Sequence, residues 1–191
     1  MPTMRRTDSV TKLKSTVAQN KAPSSSNGAV EPQAAEWSQT LRHQKRTSVS
    51  GREISFSNEG MSIGLCATPC AGEGTHECVV RIGDMDAYGF VGMAPPDAAA
   101  WDGHLGQTIG VGLRDDGILA RDGSYRPGQG SFQKGDMLQI TYVAKDCSLR
   151  IYQNGLFELL KVHNVPRGWH FAASGMGVKI EFCDKLPPDA V

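Results

Sequence analysis

From Gly51 onward the chain alternates apolar and polar residues with a period of two, a pattern that favours strands over helices. Glu53-Ile54-Ser55-Phe56-Ser57 alternates, Asn58-Glu59-Gly60 turns the chain, and Met61-Ser62-Ile63-Gly64-Leu65 alternates again. Further strand-like runs fall at 76–82, 88–93, 108–113, 137–143, 148–153, 157–160, 170–173 and 178–182, nearly all bounded by Gly, Asp, Asn or Pro. About ten short strands with no helical period between them predict an all-β, antiparallel sandwich of two sheets rather than βαβ units. Two turns carry their own chemistry. Asn154-Gly155 joins two apolar runs as a type I′ hairpin, and Asp115-Asp116-Gly117 closes the run that ends at Leu113.

Before Gly51 the composition changes. Residues 1–46 are rich in Ser, Thr, Gln, Asn, Ala and Lys, and Ala22-Pro23-Ser24-Ser25-Ser26-Asn27-Gly28 reads as linker. Such a segment buries too little apolar area to offset the entropy of ordering it, so residues 1–46 are expected to be a disordered arm ahead of a domain at 47–191. Trp37 and Leu41 near its end are spaced to dock on the domain as one helical turn. The arm is basic, with eight Lys/Arg against three acids, while the remainder holds 12 bases and 17 acids. Attraction to nucleic acid would therefore reside in the arm, because the domain would repel it.

No apolar run approaches a membrane span, residues 1–20 lack the apolar core of a secretory signal, and the five cysteines form an odd set. Together these predict a soluble cytoplasmic monomer with reduced thiols.

From Gly51 to Phe182 the order of motifs resembles a SPRY domain. Its strongest stretch is Ile109-Gly110-Val111-Gly112-Leu113-Arg114-Asp115-Asp116-Gly117, followed by Phe132-Gln133-Lys134-Gly135-Asp136-Met137-Leu138 and Leu149-Arg150-Ile151-Tyr152-Gln153-Asn154-Gly155. This series is similar to that of the Ran-binding type. Gly74-Thr75-His76-Glu77-Cys78-Val79-Val80 and Ala87-Tyr88-Gly89-Phe90-Val91-Gly92-Met93-Ala94 are weaker matches before it. The tripartite-motif branch signatures Trp-Glu-Val and Leu-Asp-Tyr-Glu are absent. The resemblance implies a concanavalin-like bent sandwich that binds a partner protein or short peptide through rim loops, without a cofactor or catalysis. It places Asp86, Ala87, Trp101, Asp102, Ser174 and Gly175 on that rim, with Trp101 matching an aromatic that lines the peptide pocket in the SOCS-box branch. A lectin shares the architecture and is the alternative, one that needs a face of exposed aromatics for sugar rings.

Other chemistry is thinly signed. No nucleophile elbow, P-loop or dinucleotide fingerprint occurs. Cys66, Cys70, His76 and Cys78 have donor types that suit zinc, but structural zinc draws on two short ligand pairs, and core packing of the thiols is the preferred reading. Asp84, Asp86, Asp115, Asp116 and Asp122 could face a cation, yet the calcium-loop order is missing and turn-forming Asp is preferred. Ser9 and Ser48 follow basic residues, as kinase substrates do.

Overall fold

The computed structural model describes residues 35–186, and these form twelve strands and one short 3-10 helix. In chain order they are β1 (Trp37–Arg42), β2 (Thr47–Ser50), β3 (Glu53–Phe56), β4 (Ser62–Pro69), β5 (Thr75–Ala94), the 3-10 helix (Pro96–Ala100) and β6 (Val111–Arg114). Then follow β7 (Ile118–Arg121), β8 (Ser124–Pro127), β9 (Met137–Val143), β10 (Ser148–Gln153), β11 (Phe157–Val162) and β12 (His170–Cys183).

The two long strands, β5 and β12, lie side by side and run through both layers. Their partners divide by strand half. Where β12 spans residues 170–175 it pairs with β4, and the matching part of β5 pairs with β6, giving sheet one in the order β1-β4-β12-β5-β6-β7-β8. Where β12 spans 179–181 it pairs with β3, and the first half of β5 pairs with β9, giving sheet two in the order β2-β3-β12-β5-β9-β10-β11. The bend between the layers is marked by register shifts from Met176 to Ile180 and by Gly177, whose φ of 63° is the left-handed conformation that glycine adopts freely.

Between the layers, alternate residues meet. Val91, Met93, Val111, Leu113 and Phe171 from sheet one join Ile54, Val80, Leu138, Ile140, Ile151 and Phe182 from sheet two in one buried cluster. Cys66, Cys70 and Cys78 belong to it as well, and all five cysteines are unpaired. Burial pushes the Cys70 thiol up to about 12, with Cys66 beside it adding to the effect. His76 points elsewhere, its Nε2 3.0 Å from the Gly72 carbonyl oxygen. Among the described residues no three His, Cys, Asp or Glu side chains are grouped to hold a metal.

The structure corrects the expected boundary. Order begins before residue 47: Trp37 is only 4 % exposed, stacks on Phe182 at a 4.2 Å centroid distance, and donates from Nε1 to the Ile180 carbonyl. The segment is a strand, not a helical turn. Trp37 pairs with Cys66 but Arg42 with Gly64, so β1 carries a wide bulge, and the Ser38 hydroxyl accepts the freed N–H groups of Thr40 and Leu41. That bulge erases the period that would have announced a strand. The rest of the expected arm, with Ser9, lies outside the described residues. The expected breaks at 83–87 and 174–177 are likewise bends within single strands.

Candidate binding rim

The two sheets differ on their outer faces. On sheet one the cross-strand row Leu65, Ala172, Gly92, Gly112, Ala120 is mostly very small side chains. A Cβ at Gly92 would stand 2.0 Å from the Val111 carbonyl oxygen, and one at Gly112 2.8 Å from the Leu105 Cβ. The row is a trough, and the chain after β5 fills it. Ala98 and Ala99 of the 3-10 helix and Leu105 pack there with Ile63, Leu65, Phe90 and Ala172 as a second buried cluster. The Leu105 N–H donates to the Ser174 hydroxyl at 3.0 Å. Residues 95–110 thus form a lid, and its length is used in covering a sheet face.

At one corner of this lid Trp101 stands out, 44 % exposed. Its neighbour Asp102 is fixed from across the fold: His43 Nε2 and Arg46 Nη1 each lie 2.9 Å from its Oδ1. Both bases come from the turn between β1 and β2. The Arg46 guanidinium also donates to the Met61 carbonyl and lies 3.3 Å from where a Gly60 Cβ would be. The Ser57–Met61 turn continues the rim. A side chain at Gly177 would meet Asn58 Oδ1 at 2.1 Å and the Asp86 Cβ at 3.1 Å, so Asp86, Asn58, Arg46, Asp102 and Trp101 succeed one another along one edge. Asp86 is exposed on β5 and Ala87 beside it is half-buried.

Ser174 and Gly175 are a correction. Both are buried within β12 rather than preceding a strand on the rim: Ser174 anchors the lid, and a Cβ at Gly175 would lie 2.1 Å from Val178 Cγ1. These small residues read as a turn, but Gly175 leaves room for Val178 of its own bent strand and for the Tyr88 carbonyl of β5, while the Ser174 hydroxyl holds the lid. Conversely, His43, Arg46 and Asn58 are rim residues that the sequence reading missed. His43 and Arg46 fall in the segment whose composition reads as arm, so nothing local marks them as rim residues.

The acidic residues are used in the fold. Asp115 Oδ1 accepts the Gly89 N–H and its carbonyl accepts the Phe132 N–H, while Asp116 pairs with Arg114 and Asp122 with Arg121. Asp84 faces Lys134 and Lys179; the Lys134 ammonium holds its carboxyl below the usual range. Asp136 accepts from the Gln133 N–H and from Gln153, and Asn154 Oδ1 accepts the Met137 N–H, so the Phe-x-x-Gly-Asp and Asn-Gly motifs interlock as turn chemistry.

Solved structures with this arrangement exist. The SPRY domain of human HERC1 superposes with a TM-score of 0.61 at 16 % identity, covering 71 % of this chain and 90 % of that one. The PSpry domain of TRIM65 gives 0.62 at 12 %, covering 80 % and 93 %, and a human SPRY domain gives 0.59 at 17 %, covering 72 % and 94 %. The fold is that of a SPRY domain. No protein-family model and no curated protein matches the sequence, so the SPRY fold is carried by the architecture. Among the described residues, no helix is long and apolar enough to cross a membrane.

Proposed function

We propose that this SPRY-fold chain is a non-catalytic module that binds a partner protein or short peptide at the rim bearing Trp101, Asp102, Asp86 and Ala87, without a cofactor. One observation carries the reading: a large aromatic is held out to solvent on a lid whose underside is buried and whose tip is clamped by His43 and Arg46. A rigid, exposed aromatic buries much area on binding at little entropic cost, which is why such residues dominate interfaces. We read the module as a cytoplasmic monomer; five unpaired thiols, several of them deep in the core, suit a reducing compartment.

The distribution of exposed aromatics favours a protein ligand over a glycan. Tyr88 lies under the Arg114 guanidinium at 5.5 Å, the Tyr125 hydroxyl is 3.3 Å from His104 Nε2, and Phe157 sits at the β10–β11 hairpin in the other sheet. They do not compose one free stacking face.

The test is Trp101→Ala. It should keep the wild-type melting temperature and lose about 2 kcal/mol of partner affinity, roughly thirtyfold. Quantitative capture of lysate proteins by wild type and variant, with calorimetry alongside, reads both; an unfolded variant would make Trp101 a fold residue. Ser48 is read as a regulatory position. It is exposed on β2, two residues from Arg46, and a phosphate there would draw that guanidinium from Asp102. Ser48→Glu should then weaken binding at unchanged stability.

A further inference from the structure

A groove of about 330 Å³ runs beside Trp101, between the end of β1 with its following turn and the 3-10 helix. One wall is Leu41, Arg42 and His43; the other is Pro96, Ala99 and Ala100. Leu41 packs on the buried cluster beneath the lid, as Ala99 does, so the floor is apolar and fixed. The flanking charge is mainly positive. Arg42 ends β1 and lines the groove, its Nη1 donating to the Thr47 carbonyl; Lys45 and Arg46 follow on the turn, and neither Arg42 nor Lys45 enters an ion pair among the described residues. Against them stand Asp97, and Asp102, whose Oδ1 already meets His43 and pairs with Arg46. Uncompensated cations beside an apolar floor suit a ligand that carries both complementary features.

Resting on the rim reading above, we propose that the groove selects an acidic peptide segment: one Leu-, Ile-, Val- or Met-sized side chain lies over Leu41 and Ala99, and a neighbouring Asp or Glu faces Arg42 and Lys45. The ligand engages through side chains rather than by adding a strand to β1. The bulge from Ser38 to Leu41 disrupts that edge, and the Ser38 hydroxyl already takes two of its N–H groups. The chain beyond residue 46 is net acidic, so the cations on and after β1 give an acidic ligand local attraction that the chain's overall balance does not.

An unbiased array of random twelve-residue peptides, probed with the full chain, tests the proposal. Bound peptides should be enriched in Asp or Glu within three residues of an aliphatic side chain. Affinity should fall several-fold between low and physiological salt. Ala100→Glu, at an exposed groove position, and Arg42→Glu should each weaken the selected peptides at least tenfold, with folding checked by melting temperature; Ala100→Glu keeps the test valid if Arg42→Glu is unstable. Peptides that need Trp101 but show no acidic preference and ignore Ala100→Glu would overturn the groove chemistry and leave the rim standing. Binders indifferent to Trp101→Ala would overturn both. Single-stranded oligonucleotides outcompeting the peptides at this corner would replace the acidic peptide with nucleic acid and overturn the proposal.

Discussion

Along its central strands β4, β12, β5 and β6, sheet one is covered on both faces, whereas sheet two is covered on one. The outward positions of sheet two are Glu53, Ser55, Arg81, Gln139, Thr141, Arg150, Lys179 and Glu181, in register with inward Ile54, Ile82, Leu138, Ile140, Ile151 and Ile180. Its surface is organised by pairs such as Arg81 with Glu181 and Arg150 with Glu158. Sheet one instead carries the trough of small residues and the lid. The same alternation therefore has two outcomes, and the difference lies in what the chain does after each strand. Following β9 it turns back within a few residues to β10; following β5 it takes a detour from Pro95 to Gly110 that covers the sheet. The proposed site belongs to the covered sheet, because a lid has an edge on which an aromatic can be presented.

The largest effect should come from the edge strand of the covered sheet. Trp37→Ala removes the ring stacked on Phe182 and leaves a cavity between the layers, so it should cost about 3–5 kcal/mol by urea unfolding. Deleting residues 1–46 should be at least as damaging. If that truncation melts like the full chain, β1 is dispensable and the domain begins where composition alone places it. Next comes the lid. Leu105→Ala should cost about 2–5 kcal/mol, since its side chain is fully buried in the second cluster. It should also raise hydrogen exchange across 95–107. Loss of stability without faster exchange there would mean the lid is held by its ends and not its underside.

The bare face supplies the contrast. Arg81→Ala breaks an exposed ion pair and should change stability by at most about 1 kcal/mol, and by less in high salt. A cost comparable to Leu105→Ala would show that the two outer faces are not energetically different and would undo the comparison.

Most of the architecture was legible because alternation survives wherever one face is buried. The expected strands at 137–143 and 148–153 are β9 and β10 as observed. Legibility fails where that condition fails. β8 is exposed at all four residues and has no apolar phase to read. β1 is half-buried but bulged. β5 holds Gly83, Asp84 and Asp86, which read as a turn; there the long strand bends, with exposed and half-buried positions alternating. The site was legible only in part, for a related reason. Trp101 is conspicuous as a residue in a long loop, but the clamp on Asp102 comes from residues 56 and 59 positions earlier in the chain, and no local pattern encodes that meeting.

A last predicted effect, read from its pH dependence, concerns the turn that ends β6 on the covered sheet. Asp115 holds the Gly89 N–H of β5, and burial raises its carboxyl above the ordinary range despite that bond. A raised folded-state pKa means that the folded chain holds this proton more tightly than the unfolded one. Its contribution is favourable below the unfolded value of about 4 and is lost as pH climbs through the raised one. At neutral pH wild type therefore carries a half-buried charge that is incompletely compensated. Asp115→Asn keeps an oxygen for the Gly89 N–H and removes the charge, so its stability relative to wild type should improve as pH rises from about 3 to 7. Asp115→Ala, which removes the acceptor and leaves the N–H unmatched, should instead destabilise at every pH, by about 1–3 kcal/mol. Urea midpoints for the three proteins across that range separate the charge from the hydrogen bond. A gap between Asp115→Asn and wild type that stays flat with pH would mean the carboxylate is as well solvated folded as unfolded, and that only its acceptor oxygen matters to the turn.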